Sequence, residues 1–329
     1  MDVKNFKPAK VGVVGLGHVG AHVAYSLAVQ GIADELVLVD KNEQKMTSEC
    51  QDIRDAIAYC PHNVKVTSGS YELLGDCDVI VNATGKISLL GSGGDRNLEL
   101  QYTVAQAKAF VPKIMAAGFS GVIISISNPC DVVAHTIWQM SGLPKGRVLG
   151  TGTGLDTSRL LSVLALQTGI EHQSISAYML GEHGLAQMAA WSAVTFGGIP
   201  LATLAASGDS KFNFDREEMQ KRSIMGGWVT YSGKQCTEYG IATTAARMVR
   251  CVLRDEKRIM PASMLLDGEY GEHGIFAGVP CLLGKNGVEQ VMELPLTEEE
   301  LAKFHTCCAS IRSNVELAKK VAPAEDIAK

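Results

Sequence analysis

Two groups of residues in this chain have the types and spacing that chemistry needs. The first is Gly15-Leu16-Gly17-His18-Val19-Gly20, a G-x-G-x-x-G run that follows an apolar segment and opens a helical one. In that setting the first glycine makes a tight turn and the second lets the backbone approach a pyrophosphate. The third lets helix and strand pack closely. The helix N-terminus adds unpaired N–H groups and partial positive charge. Asp40 ends the next apolar run, where a carboxylate accepts hydrogen bonds from a ribose diol and repels a 2′-phosphate. Motif, setting and acid together point to NAD in preference to NADP, with only the neighbouring Lys41 arguing the other way. The second group is Asp156, in Gly154-Leu155-Asp156-Thr157-Ser158-Arg159, and His183, in Gly181-Glu182-His183-Gly184. A carboxylate that fixes an imidazole's tautomer and stabilises its charged form is what proton shuttling requires. Spacing alone does not show that the two meet. The tetrapeptide recurs as Gly271-Glu272-His273-Gly274 among turn residues, and His273 is read as a surface loop residue.

These residues need a scaffold to bring them together. Strands are expected at Lys10–Gly15, Glu35–Asp40, Val64–Thr67, Asp78–Thr84, Gly121–Ser127 and Arg147–Gly150. Helices are expected at His18–Gly31 and Lys45–Tyr59. Near-continuous Val/Ile runs between helices predict an α/β fold, a doubly wound parallel sheet of Rossmann type covered on both faces. The second half changes character. It reads as a helix at Asp156–Thr168, a strand at Ser174–Leu180, helices at Asp215–Val229 and Thr237–Leu253, and short strands with glycine turns from Ala262 to Met292. A last helix opens at Thr297 with Glu300 as reciprocal cap and runs toward Val321. The expected division is a dinucleotide-binding domain over 1–152 and an α+β substrate domain over 153–329.

Composition excludes several classes. Hydrophobic residues make up 46% and charged residues 20%, which is not the balance of a disordered chain. The formal net charge is −5 and no basic face is evident, so no nucleic-acid partner is expected. The nine cysteines are scattered and contain no C-x-x-C. That predicts free thiols in a reducing, cytoplasmic setting, with Cys307-Cys308 serving packing. No metal is expected. No signal peptide is read at Met1–Lys7, and no apolar run reaches membrane-spanning length, so no membrane partner is expected.

Taken in order, GLGHVG at 15–20, Asp40, NATG at 82–85, GDR at 94–96, SNPCD at 127–131, GTGTGLDTSR at 150–159, GEHG at 181–184, TEYGIAT at 237–243 and GVPCLLGKNGV at 278–288 form a recognisable series. The chain resembles the L-2-hydroxy-acid dehydrogenases of the lactate/malate dehydrogenase superfamily. Within it, the chain is most similar to the L-lactate and L-2-hydroxyisocaproate types. The resemblance runs from about Lys10 to the final helix. It implies NAD-dependent, reversible reduction of a 2-oxo acid by a homotetramer or homodimer. It also implies roles. His183 is the acid/base and Asp156 its carboxylate partner. Arg159 binds the substrate carboxylate, Arg96 polarises the reacting carbonyl, and Asn128, with a cis bond to Pro129, contacts substrate and nicotinamide ribose. Thr237 lines the pocket for the substrate's side chain. Val19, Gly85 and Thr151 line the cofactor groove with Gly15, Gly17, Gly20 and Asp40. The loop from Lys86 to Asp95 is expected to close over the substrate.

The resemblance also bears on the substrate. Malate dehydrogenases of this superfamily carry an extra arginine in that loop, whereas the segment from 86 to 95 has none and is apolar at Ile87, Leu89 and Leu90. A buried second carboxylate would lack a partner. A small 2-oxo monocarboxylate is therefore expected, with Lys86 the one cation that could serve a dicarboxylate. The glutamine usual in lactate dehydrogenases is absent too, which allows a side chain bulkier than a methyl. Leu161 and Ser176 stand where enzymes activated by fructose 1,6-bisphosphate carry a basic pair, so no such activation is expected. Malate dehydrogenase is the alternative within the class, and a non-catalytic dinucleotide sensor the alternative outside it.

Overall fold

The computed structural model describes residues 7–89 and 96–325, with the side chains of Ile87, Arg96 and Asn97 outside the described set. The apolar runs of the first half form the strands β1 (Lys10–Val14), β2 (Glu35–Val39), β3 (Lys65–Ser68), β4 (Val79–Asn82), β5 (Val122–Ser125) and β6 (Val148–Gly150). Between them lie α1 (His18–Val29), α2 (Glu43–Ile57), α3 (Arg96–Ala116) and α4 (Cys130–Ser141). Five of these strands are one to three residues shorter than their apolar runs, because the end residues leave the ladder to make the loops that carry the site, and β3 keeps its length but is shifted by one residue. These six strands are parallel in the order β3-β2-β1-β4-β5-β6. Val11, Val13, Val79, Ile80, Val81, Ile123 and Ile124 are fully buried, as residues of a sheet covered on both faces must be. The order reverses between β1 and β4. That switch point opens a crevice at the carboxyl ends of the strands, where ligands of such sheets bind.

The second half departs from its expectation in two places. After α5 (Gly154–Thr168), the expected strand Ser174–Leu180 is broken into β7 (Ile175–Ser176) and β8 (Met179–Leu180). β8 pairs with β9 (Met188–Ala189), while β7 pairs with β10 (Thr195–Phe196), which also pairs with β11 (Ile199–Pro200). The step between the two small sheets falls where the Met179 N–H donates to the Thr157 hydroxyl on α5, 2.9 Å away.

Three helices follow: α6 (Leu201–Ala206), α7 (Arg216–Lys234) and α8 (Tyr239–Leu253). The strands beyond them are long, not short. β12 (Arg258–Asp267) and β13 (His273–Gly284) form an extended antiparallel hairpin, with β14 (Gly287–Val291) outside it. They do not make a sheet of their own. β12 lies against β6 through Ser263 and Gly150, giving one nine-stranded sheet that spans both halves of the chain. A Cβ at Gly150 would fall 2.9 Å from that of Ser263, so the absence of a side chain permits the approach. The hairpin covers what would otherwise be an unpaired edge at β6.

The last helix, α9 (Glu298–Lys319), begins with the expected reciprocal cap of Thr297 and Glu300. His273 is exposed as expected but begins β13 instead of lying in a loop. Its neighbour Glu272 is buried and is held by His305 Nδ1 at 2.7 Å and Arg312 at 2.6 Å. The second GEHG therefore fastens the hairpin to α9. Among the described residues no helix is long and apolar enough to cross a membrane.

Candidate active site

The glycine-rich turn is built as the motif requires. Gly15 adopts φ 88°, a left-handed conformation open to glycine, directly after β1. A Cβ at Gly20 would fall 1.8 Å from the Gly15 carbonyl oxygen, so the third glycine is what lets α1 sit against the turn. Around Gly17 the space is free: a Cβ there would meet nothing within 4 Å, and the same holds at Gly85 across the crevice. These two positions leave the room a pyrophosphate and its riboses need beside the N-terminus of α1.

Asp40 fixes the turn. One of its oxygens accepts the Leu16 N–H at 2.6 Å and the other the Asn42 N–H at 2.8 Å. Each carboxylate oxygen keeps a further lone pair for a ribose hydroxyl. The Lys41 ammonium lies 5.0 Å from the centre of the Tyr102 ring, which gives its charge a partner other than a 2′-phosphate. The residues present thus fit an adenine dinucleotide without a 2′-phosphate. Val19 is half-buried against the core, and Thr151 is buried with its hydroxyl 3.9 Å from Cys130 Sγ.

The acid and the imidazole do meet. β8 delivers the chain to Gly181, which is bridged to Gly278 of β13, and His183 follows two residues later. Its Nδ1 lies 2.6 Å from Asp156 Oδ2. Asp156 sits in the first turn of α5 and is 1% exposed. Its other oxygen accepts from Arg159 Nη1 at 3.1 Å. One buried carboxylate therefore holds both the imidazole and the guanidinium. Ser223 of α7 donates to the Asp156 carbonyl at 3.3 Å.

A second carboxylate, which the sequence reading leaves out, stands behind the histidine. Asp131, in the first turn of α4, accepts the His183 backbone N–H at 3.0 Å and the Ser263 hydroxyl at 2.5 Å. Burial pushes Asp131 up to about 6. The available signal is an acidic residue directly after SNPC in an otherwise apolar segment.

Burial works to depress the His183 imidazole. The Asp156 charge and hydrogen bond, with Asp131 behind, outweigh it and hold the pKa above the ordinary histidine value. Burial likewise works to raise Asp156, and His183 and Arg159 together hold it below the usual carboxylate range. With Nδ1 engaged, His183 Nε2 has no hydrogen-bond partner among the described residues. Such an imidazole can give a proton to, or take one from, an oxygen placed beside it.

The remaining expected residues lie at the ends of other elements. The Asn128–Pro129 bond is cis, and the Asn128 carbonyl accepts the Thr103 hydroxyl at 2.7 Å. Thr237 is half-buried in the link from α7 to α8, where Gly240 lies against Leu155. Arg96 is the first residue of α3; its side chain, like residues 90–95 of the expected loop, lies outside the described residues. Lys86 is exposed at the start of a short turn, Ile87–Leu89.

Comparison with known proteins places this architecture. The lactate/malate dehydrogenase NAD-binding domain matches residues 9–150, and the α/β C-terminal domain of the same proteins matches 153–322. The chain belongs to the lactate/malate dehydrogenase family, and it is an NAD-dependent oxidoreductase acting on a CH–OH group. It is 40% identical over 311 residues to an L-lactate dehydrogenase of Fusobacterium nucleatum subsp. nucleatum, covering 94% of this chain and 97% of that one. It is 41% identical over 308 residues to L-lactate dehydrogenase 1 of Bifidobacterium longum, covering 93% and 97%. The solved structure of a minor L-lactate dehydrogenase from Enterococcus mundtii in its ligand-bound form superposes with a TM-score of 0.88 at 35% identity, over 93% of this chain and 97% of that one.

Proposed function

We propose that the protein reduces a 2-oxo monocarboxylic acid to the L-2-hydroxy acid, reversibly, as an L-lactate or L-2-hydroxyisocaproate type dehydrogenase that works without fructose 1,6-bisphosphate. The observation that carries this reading is the Asp156 carboxylate gripping His183 on one oxygen and Arg159 on the other. That arrangement puts a proton donor and a carboxylate anchor beside each other at a fixed spacing. The names of the Fusobacterium and Bifidobacterium relatives support the same chemistry.

The reaction balances as 2-oxo acid, NADH and a proton giving L-2-hydroxy acid and NAD. Gly15, Gly17, Val19, Gly20, Asp40, Gly85, Asn128 and Thr151 are the residues that would hold NADH, which supplies a hydride to the substrate's C2. Arg159 binds the substrate carboxylate through a two-point fork, which fixes the carbonyl's orientation. Arg96 donates to the carbonyl oxygen and favours the charge that develops on it. Protonated His183 gives its Nε2 proton to that oxygen as the C–H bond forms. Asp156 stabilises the charged imidazole beforehand and fixes its ring. Oxidation of the 2-hydroxy acid runs the same transfers backward and needs neutral His183.

The substrate is monocarboxylic because the segment from 86 to 95 offers no arginine to a second carboxylate. Its side chain is apolar, to suit a segment whose sequence carries Ile87, Leu89 and Leu90, with Thr237 beside it. Exposed Met225, Trp228 and Val229 on α7 suit burial in a symmetric dimer or tetramer, and free cysteines suit a cytoplasmic setting. The test is NADH oxidation by 2-oxo acids in the wild type and in Arg159→Lys. Loss of the fork should raise KM by about tenfold or more, with a smaller change in kcat. An enzyme that turns over no 2-oxo acid contradicts the proposal.

A further inference from the structure

Helix α7 carries two adjacent glycines, Gly226 and Gly227, in its interior. Glycine is the least favourable residue there after proline, because it gives up the most backbone freedom. Neither glycine needs an unusual backbone, since both lie within regular helix and neither has positive φ. Their use is therefore steric, and the neighbouring atoms identify it. A Cβ on Gly227 would lie 3.3 Å from both terminal nitrogens of Arg159 and 3.4 Å from the carbon between them. A Cβ on Gly226 would lie 3.4 Å from Arg159 Cδ, with Cγ and Nε next nearest. The bare backbone of α7 thus faces the whole length of the Arg159 side chain.

The guanidinium is held from two directions. Asp156 Oδ1 accepts from Nη1 at 3.1 Å, and Gly226-Gly227 lie against the group. α7 is itself tied to the catalytic helix one turn earlier, where buried Ser223 donates to the Asp156 carbonyl. A methyl on Gly227 would press on the guanidinium at a separation tighter than ordinary contact, so the group would have to give by a few tenths of an ångström, while one on Gly226 would sit in ordinary contact with the arginine methylenes.

We propose that Gly226 and Gly227 are positioning residues that form a bare seat for the Arg159 guanidinium and so set where the substrate carboxylate docks. The inference rests on the reading of Arg159 as the carboxylate anchor. It gives the two glycines a reason to occupy a helix interior that would be more stable with alanine.

The experiment compares Gly226→Ala and Gly227→Ala with Gly233→Ala. Gly233 lies on the same helix, and a Cβ there meets nothing within 4 Å, so it matches the helix-propensity change without the contact. Two readouts are needed: kcat and KM for pyruvate, and calorimetric affinity for oxamate, the amide isostere of pyruvate, at saturating NADH. The seat predicts that Gly227→Ala raises pyruvate KM and weakens oxamate by about tenfold or more, the worth of one charge-assisted hydrogen bond. KM for NADH should stay within about twofold, because the dinucleotide is held elsewhere. Gly233→Ala should match the wild type in both readouts. Gly226→Ala, whose methyl would lie in ordinary contact with the arginine methylenes, should shift both readouts in the same direction by less, and serves as the test should Gly227→Ala fold poorly. Unchanged oxamate affinity in both α7 seat variants overturns the seat. So does an equal loss in Gly233→Ala, which would mean that helix stiffness matters and the contact does not. A wild type that binds oxamate without turning over any 2-oxo acid sinks the functional reading alone, since the affinity still reports on the seat. A wild type that binds no oxamate overturns both.

Discussion

Asp131 accepts the backbone N–H of His183 at 3.0 Å, so the start of α4 holds the same residue whose ring Asp156 holds from α5. Asp156 holds the ring and Asp131 the backbone, and the negative charge of Asp131 adds to that of Asp156 in favouring the protonated imidazole. The sign of the pH dependence follows. With His183 as the proposed proton donor, reduction should decline as pH rises through a pKa that lies above the ordinary histidine value. Oxidation gains over the same range. Asp131→Asn removes one supporting charge and keeps the shape. The midpoint for kcat/KM of reduction should move to lower pH, measured with saturating NADH across the neutral range. A profile identical to the wild type would mean that Asp131 only braces the backbone.

Removing the proposed proton carrier should affect kcat far more than cofactor affinity. His183→Gln is expected to lower kcat by roughly 10²–10⁴ with KM for NADH nearly unchanged. Asp156→Asn should fall in the same range and should also raise KM for the 2-oxo acid, because Arg159 loses the partner on its Nη1. Stopped-flow single turnovers and a dinucleotide titration separate the two effects. Near wild-type turnover in His183→Gln would overturn the acid/base assignment.

Much of this was legible from residue types. The glycine turn, Asp40, Asp156 and His183 carry chemistry that few other residues could supply, and the Val/Ile runs report their own burial. What was not legible depended on pairing across long stretches of chain. Periodicity in 262–292 says strand, but not that β12 closes the edge of β6. The 174–180 run alternates well enough to read as one strand, and only the Thr157 hydroxyl, a residue on another element, marks its break. Asp131 and the Gly226-Gly227 pair were overlooked for the same reason. Their meaning lies in the residues they touch, His183 and Arg159, which are distant in sequence.

The end of α7 offers a stability test independent of the chemistry. Gln235 terminates the helix at φ 63°, a left-handed conformation that strains any residue with a Cβ. Gln235→Gly should relieve about 1–2 kcal/mol of that strain and lose part of it to the greater freedom of the unfolded chain. The net gain is about 0.5–1 kcal/mol. Calorimetry should record a higher Tm. A lower Tm would show that the Gln235 side chain contributes packing that outweighs the strain.

Activation by a bisphosphate should be absent. Leu161 is half-buried on α5 and Ser176 is exposed in β7, and neither carries a charge for a phosphate. Saturation curves for the 2-oxo acid, recorded with and without millimolar fructose 1,6-bisphosphate, should superimpose. A large fall in KM on adding it would reveal a basic site elsewhere.

The central claim is that a proton donor and a single-carboxylate anchor, both held by Asp156, act on a 2-oxo monocarboxylate. The most direct test is kcat/KM for NADH oxidation with pyruvate, 4-methyl-2-oxopentanoate and oxaloacetate under one set of conditions. The account predicts that either monocarboxylate exceeds oxaloacetate, with the ratio between the two measuring the room beyond Arg159. A clear preference for oxaloacetate would contradict it, and would mean that Lys86 or another cation accepts the second carboxylate.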